Sequence, residues 1–389
     1  MTRLIEITGK ALSGEWGKDD DSGNGIPVLR TTNFTNIGEV DYENVVTRNI
    51  IKKNLDEKYL RKGDIIIEKS GGSDKQPVGR VIFFDGEERT YLFNNFTGLL
   101  RVKDQANWYP RYIFYSLFSN YRKGGTRAFE NKTTGLHNLK TDEYVAHYEV
   151  ADASMQNQIT ICAQLDRVTK NIKLHQQELQ KLDQLIKSRF VELFGDPVSN
   201  SKGLKELTLP ELGELGRGVS KHRPRNAPEL LGGEYPLIQT GEVSNAGLYI
   251  ENYENTYSEL GYKQSKMWKA GTLCITIAAN IAKTAILKFD ACFPDSVVGF
   301  KANDKTNEIF IHYWFSFFQA ILEAQAPESA QKNINLKILS ELKVIAPDIE
   351  EQNKFATFVV QVDKSKVAVQ KSLDETQLLF DSLMQKYFG

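Results

Sequence analysis

The sequence predicts an α+β protein built twice over, a β-rich domain and a long helix followed by a second β-rich domain and a second long helix. Two observations predict it. A set of short motifs recurs in the same order about 200 residues on, a period that means duplicated domains rather than a solenoid. Each set then ends in a run whose apolar residues repeat every seven positions, the mark of a coiled-coil helix.

The motifs pair as follows. Pro27-Val28-Leu29-Arg30-Thr31 matches Pro236-Leu237-Ile238-Gln239-Thr240, 209 positions on, and Lys62-Gly63-Asp64-Ile65-Ile66 matches Ala270-Gly271-Thr272-Leu273-Cys274, 208 on. Phe93-Asn94-Asn95 matches Phe293-Pro294-Asp295 at 200, and Asn138-Leu139-Lys140 matches Asn335-Leu336-Lys337 at 197. The offset only shrinks, as expected if loops lost residues while the elements stayed. Side-chain identity between the halves is low, so the match rests on order and pattern.

Within each half, Gly63–Ile67, Val78–Phe84, Leu99–Val102 and Ala285–Leu287 read as short strands divided by Gly and Asp turns. Tyr112–Phe118 and Ile311–Leu322 read as apolar helices. In the first long helix Leu165, Ile172, Leu179, Ile186 and Leu193 form one seam, and Val168, His175, Leu182 and Arg189 form its companion. In the second, Val359, Lys366, Leu373, Phe380 and Tyr387 form one seam, and Phe355, Val362, Val369, Thr376 and Leu383 the other. These stripes are narrower than a globular core face requires, which favours a coiled coil over two amphipathic helices packed each on its own domain. Gly195-Asp196-Pro197 stops the first helix, since Gly suits the position after a helix and Pro cannot continue it. The expected organisation is domain 1 over 1–152, helix 1 over 153–196, domain 2 over 197–347 and helix 2 over 348–389.

Composition bounds the function classes. With 389 residues there is room for two or three domains, and 41% apolar with 25% charged residues is ordinary for globular protein. No run approaches the ~18 apolar residues of a membrane span, and Met1-Thr2-Arg3-Leu4-Ile5-Glu6 opens no signal-peptide core, so a cytoplasmic protein is expected. Cys162, Cys274 and Cys292 lie far apart and read as buried thiols rather than a metal or redox site. A net charge of −1 requires that any nucleic-acid contact use clustered cations, balanced by acidic surface elsewhere.

This layout resembles the specificity subunits of Type I restriction-modification enzymes, over essentially the whole chain. The marks are Gly14-Glu15-Trp16-Gly17 with Val28-Leu29-Arg30-Thr31-Thr32-Asn33-Phe34, the strand opening Lys62-Gly63-Asp64, and the helix start Ala346-Pro347-Asp348-Ile349-Glu350-Glu351-Gln352. At the first helix Ser154-Met155-Gln156-Asn157-Gln158 stands in place of the Glu-Gln start, which blurs where that helix begins. The resemblance implies two target-recognition domains, each reading one half of a split site in double-stranded DNA. It implies that the two helices pair antiparallel, giving pseudo-two-fold symmetry, and dock two modification (methyltransferase) subunits, with restriction (nuclease/translocase) subunits joining that core. Helix length agrees with such a role: residues 159–193 span 35 positions, roughly 52 Å at ~1.5 Å per residue, against ~34–36 Å between half-sites one turn apart.

Catalytic residues, cofactors and metals are not expected. Methyl transfer to adenine needs an Asn/Asp-Pro-Pro-aromatic loop, and no two prolines are adjacent. Gly71-Gly72-Ser73-Asp74-Lys75 lacks the spacing of a phosphate-binding loop. Asp64 with Glu68-Lys69, and Pro294-Asp295, are poor nuclease fragments, and His137, His147, His175, His222 and His312 show no ligand spacing.

Base edges are read chiefly by Arg, Lys, Asn and Gln, and phosphates are fixed by hydroxyls and amides as well. In domain 1 the candidates are Arg30, Thr31, Thr32 and Asn33; the loop Lys69, Ser70, Gly71, Gly72, Ser73, Asp74, Lys75 and Gln76, whose glycines allow close approach; and Lys132, Thr133 and Thr134 with Asn138 and Lys140. In domain 2 they are Gln239 and Thr240 before Gly241, Asn280 with Lys283, Gln331, Lys332 and Asn333 with Asn335 and Lys337, and the basic run Lys221, His222, Arg223, Pro224 and Arg225. Trp16, Trp108 and Trp314 read as core rather than DNA-stacking. The competing readings are a coiled-coil scaffold that binds no DNA, favoured by the near-neutral charge, and a specificity-like subunit of another phage-defence complex.

Overall fold

Strand-forming runs alternate with Gly and Asp turns up to the middle of each half, and the backbone follows that pattern. The computed structural model describes all residues except 53, 134–135, 279–280 and 326–333. The chain divides into two units, and each contains one β-rich region with parts of both long helices. Unit 1 comprises Met1–Leu174 and Leu373–Gly389, and unit 2 comprises His175–Ser372.

In unit 1 the central sheet runs Leu12–Ser13, Thr97–Leu100, Ile65–Glu68, Val81–Phe83, with antiparallel neighbours. A second sheet runs Lys18–Asp19, Val46–Asn49, Ile26–Leu29, Leu92–Phe93, its last pair parallel. The helix Pro110–Arg122 opens on a proline at its first position, where the missing N–H costs nothing. It buries Tyr112, Ile113, Phe114, Tyr115, Leu117 and Phe118. Unit 2 repeats the plan: Gly213–Arg217, Val297–Ala302, Leu273–Thr276, Thr284–Leu287 and the added Tyr249–Ile250 form one sheet. Asn255–Tyr257, Leu231–Leu237, Ala291–Cys292 and Met267–Trp268 form the second, and the covering helix is Glu308–Gln325.

Register confirms the duplication at particular residues. The parallel pair Val28↔Leu92 recurs as Leu237↔Cys292, and the antiparallel pair Thr97↔Glu68 recurs as Val297↔Thr276. Gly14 and Gly218 are equivalent: a Cβ on either would lie 2.1–2.4 Å from the carbonyl oxygens of residues 93–94 or 293–294. Gly63 and Gly271 both turn with positive φ, 91° and 81°, before the central strand. One expected pairing shifts. Asn335 caps the helix Leu336–Glu341, and the residue at that place in unit 1 is Lys140, which precedes Thr141–His147; Asn138 lies in the strand before it. The predicted strand Leu99–Val102 is Thr97–Leu100, because Arg101 turns away to grip the buried Asp64 carboxylate with Nε and Nη2 at 2.7 and 2.6 Å.

The two long helices are Met155–Phe194 and Ile349–Phe388, 40 residues each and 194 positions apart at both ends. The first therefore starts where the second does despite its different sequence. The shared residue is glutamine: Gln158 and Gln352 are each fully buried and each ties the helix to the loop before the covering helix. Within unit 2 the segments pair antiparallel, with Phe194 against Phe355 (ring centroids 5.7 Å) and Asp183 bonded to Lys366 Nζ at 2.6 Å. In unit 1 Tyr387 Oη donates to Gln164 Oε1 at 2.7 Å. The seams also serve the domains. Leu165, Val168 and Ile172 join the core of unit 1 with Phe380 and Met384, and Ile186 joins that of unit 2 with Phe355, Val359 and Val362. No described helix is long and apolar enough to cross a membrane.

Candidate nucleic-acid interface

In unit 1, tertiary pairing gathers the three polar clusters that lie far apart in sequence. The strand Ser70–Gly72 joins the hairpin Glu130–Thr133 and Leu136–Leu139, with Ser70 opposite Asn138 and Gly72 opposite His137. Leu139 N donates to Lys69 O at 2.8 Å. Lys132 and Thr133 lie on the first strand of that hairpin, and Thr134 lies outside the described residues. Arg80 ties in the remaining cluster. Its guanidinium donates to both Glu68 carboxylate oxygens at 2.9 and 3.1 Å and to Thr31 O at 3.2 Å, so the turn after Ile26–Leu29 is fixed to the strand end from which Lys69 departs.

Within this assembly the candidates differ. Thr32 is exposed, and Arg30 is half-buried with Nη2 donating to Asn44 O at 3.1 Å. Asn33 differs from the exposed candidates: it is 1% exposed, its Oδ1 accepts from Arg30 N, and its Nδ2 donates to Asp41 O, so in the free chain it shapes the turn. Lys69 is half-buried, its Nζ donating to Ser13 Oγ at 2.9 Å, and burial lowers the ammonium pKa. It lines a 440 Å³ cavity with Ser13 and Lys140. Lys140 is exposed, with Nζ 3.4 Å from Glu143. Ser73, Asp74, Lys75 and Gln76 form an exposed tip closed by Ser73 N donating to Gln76 O at 2.6 Å. Gly72 has a reason inside the fold: its Cβ would meet Val78 N at 2.5 Å, and Gly71 has φ +132°. Those glycines need no DNA to explain them.

Unit 2 makes the same cross-connection, with Ile334 N donating to Ile277 O at 3.0 Å at the end of its central strand. Gln239 is exposed and caps the helix Thr240–Asn245 in a reciprocal arrangement with Glu242. Lys283 is half-buried, its amide donating to Thr276 Oγ1 at 3.0 Å. Asn335 spends its Oδ1 on Ile338 N, and Lys337 is exposed, 3.9 Å from Glu341. Asn280, Gln331, Lys332 and Asn333 lie outside the described residues. Lys221, His222, Arg223 and Arg225 are exposed. Arg225, Gln239, Thr240, Pro294 and Ser296 line one cavity of 260 Å³, so two separate sequence clusters meet there.

Sequence reasoning missed the turns 94–97 and 294–297. Lys69 N donates to Phe96 O at 2.8 Å, and the Phe96 side chain is 53% exposed. In unit 2 the same turn carries Asp295, which meets Arg217, Arg223 and Arg225. The recurrence of Phe93-Asn94-Asn95 was the available signal. The two nuclease-like carboxylates of unit 1 are accounted for, since Asp64 is held by Arg101 and Glu68 by Arg80. Among the described residues no group of three or more His, Cys, Asp or Glu could hold a metal ion. The three cysteines are buried, and burial pushes the Cys162 thiol up to about 12.

The pattern of the family described as Type I restriction modification DNA specificity domain matches this chain twice, over residues 4–184 and 202–376. The chain belongs to that family. It is a DNA-specificity subunit of the Type I restriction-modification class, and the two matches coincide with the two structural repeats. Its fold is shared by the S subunit of a Type I restriction-modification system from M. genitalium, 15% identical, TM-score 0.60, over 100% of this chain and 95% of that one. It is shared too by a chain from a structure describing complex assembly and conformational transition of the type I R-M system, 16% identical, TM-score 0.56, over 100% of this chain and 96% of that one.

Proposed function

We propose that this specificity subunit reads a split site in double-stranded DNA, one half with each recognition domain (1–152 and 197–347), and carries no catalytic residue, cofactor or metal of its own. Methyl transfer and cleavage then belong to partners: two modification subunits docked on the helices (153–196 and 348–389) and restriction subunits joining that core. The supporting observation is the cross-connection made at Lys69–Leu139 and again at Ile277–Ile334, which brings loops of equivalent place together at the end of each central strand. In domain 1 the contacts would come from Arg30, Thr31, Thr32, Lys69, Ser70, Gly71, Gly72, Ser73, Lys75, Lys132, Thr133, Asn138 and Lys140. In domain 2 they would come from Lys221, Arg223, Arg225, Gln239, Thr240, Lys283, Lys337 and Asn335, and from Asn280, Gln331, Lys332 and Asn333, which rest on the sequence alone. Clustering cations in these loops reconciles phosphate contact with a net charge of −1.

The test is an exchange of residues 1–150 for another recognition domain, with methylated sites sequenced in a host that also carries the modification subunit. One half-site of a two-part methyladenine motif should change and the other persist. A change in both halves, or the absence of any methylation motif with the unaltered chain, would overturn the reading.

A further inference from the structure

The turn Pro294–Val297 stands out because an acidic side chain sits at its tip among three arginines. Val297 N donates to Pro294 O at 3.0 Å to close the turn, and Gly218 N donates to Val297 O at 2.9 Å to anchor the neighbouring segment on it. Arg217 Nε donates to the Asp295 carbonyl. The Asp295 carboxylate takes Arg223 Nη2 on Oδ2 at 3.3 Å and forms an ion pair with Arg225 through Oδ1. Arg223 Nη1 donates in addition to Ser220 O and His222 O at 2.6 and 2.8 Å. Asp295 is only 23% exposed, whereas Arg223 and Arg225 are 54% and 43% exposed. Arg225 also lines the 260 Å³ cavity beside Gln239 and Thr240.

A carboxylate here works against simple phosphate attraction, so charge alone does not explain it. What it supplies is orientation. A guanidinium is a planar fork with five donors, and an exposed arginine otherwise spreads that fork over many rotamers. The ion pair with Asp295 engages one terminal nitrogen of Arg225, Nη2, and the same side chain lines the cavity with Gln239 and Thr240. The acceptor pair that matches such a fork in duplex DNA is O6 and N7 of guanine in the major groove. We propose that Asp295 is a positioning residue for base reading in domain 2, fixing Arg225 for a two-bond contact to a guanine of that half-site. The inference rests on domain 2 reading DNA. In domain 1 the equivalent turn carries the neutral Asn95 in place of the carboxylate, beside the exposed Phe96, so the inference concerns the domain 2 half-site.

The experiment uses the full chain with its modification subunit, comparing Asp295→Asn, Arg225→Lys and the unaltered protein by sequencing of methylated sites and by salt titration of duplex binding. Asp295→Asn keeps the turn but removes the charge, and Arg225→Lys keeps the charge but removes the fork. Both should relax the same G·C pair of the domain 2 half-site, on the order of ten- to a hundredfold in discrimination, and leave the other half-site intact. Asp295→Asn should bind random-sequence duplex at least as well as the unaltered chain, because a negative charge has gone. Relaxation by Arg225→Lys without Asp295→Asn would overturn the role of Asp295 and leave Arg225 a reader. No relaxation by either would overturn the inference, while exchange of residues 197–347 still altering that half-site would leave domain 2 as the reader. Loss of both half-sites with a lowered melting temperature in Asp295→Asn would show a purely structural residue and overturn it as well.

Discussion

Lys69 and Lys75 belong to one loop and have different physical situations. Lys75 is exposed at the tip, whereas Lys69 is half-buried against Ser13 with its ammonium pKa lowered. Replacing both with Ala should weaken binding to all duplexes and flatten the log–log salt dependence by about one unit per lost phosphate contact. Singly, Lys75→Ala should carry the slope change. Loss of discrimination at one base pair with an unchanged slope would make the loop a base reader instead, and no effect on either quantity would remove it from the interface. His312 yields a prediction on stability. Burial, with Lys366 nearby, holds its imidazole down to about 4, and Nδ1 lies 2.9 Å from Thr284 Oγ1. An unfolded histidine titrates near 6.5. The unfolded chain therefore binds the extra proton first, and the contribution of the neutral imidazole is intact above pH ~6.5 and lost as pH falls toward 4. The loss should reach roughly 2–3 kcal/mol by pH 4.5. Urea unfolding at pH 7 and pH 4.5 should show that loss in the unaltered protein and a correspondingly smaller one in His312→Gln; equal losses would contradict it.

At the scale of elements, each long helix is fastened at its start by one buried glutamine. Gln158 Nε2 donates to Asn107 O and Ala153 O, and its Oε1 accepts from Tyr109 N. Gln352 Nε2 donates to Lys305 O and Pro347 O, and its Oε1 accepts from Thr306 Oγ1. Replacement by Leu would strand buried polar groups, each costing ~1–3 kcal/mol. Gln158→Leu and Gln352→Leu should therefore each lower stability by about 3 kcal/mol or more in denaturant unfolding. A cost under about 1 kcal/mol would mean the glutamines are incidental. The helices themselves were legible in sequence, because seven-residue spacing is a local property of the chain. The first helix start was blurred because only Gln158 persists from the Glu-Gln pair, and its importance lies in contacts to residues about 50 positions away. Coiled-coil seam and domain-packing stripe proved to be the same residues, as Leu165 and Ile172 in the unit 1 core demonstrate. Sequence spacing alone leaves those two uses open, since both demand apolar side chains at the same positions.

At the scale of the whole molecule, the helices carry the prediction. A coiled coil keeps its facing residues only when whole repeats are added. Inserting seven residues after Gln176 and another seven after the equivalent Gln370 adds ~10.5 Å to each helix, about three base pairs at 3.4 Å each. Three base pairs also turn the duplex by roughly 100°, so part of the gain is absorbed where domains join helices. Methylated-site sequencing should return unchanged half-sites with a spacer longer by roughly one to three base pairs. An active variant with the original spacing would show that contacts other than helix length position the domains.

The sequence by itself determined the duplication, the long helices and the family, since repeat order and helical period depend only on neighbours along the chain. It also marked which loops are polar. Tertiary structure decided what those polar residues do. Asn33 and Asn138 are the same residue type in similarly polar stretches of sequence, yet one is sealed inside a turn and the other lies on a sheet shared with Ser70. Asp64, Glu68 and Asp295 are equally acidic in sequence, and each is defined by an arginine on another segment, 37, 12 and 70 positions away: Arg101, Arg80 and Arg225. The physical reason is that the free energy of a charge or hydrogen-bonding group is set by the partner it meets and the water it loses. Both are fixed only when distant segments pack together.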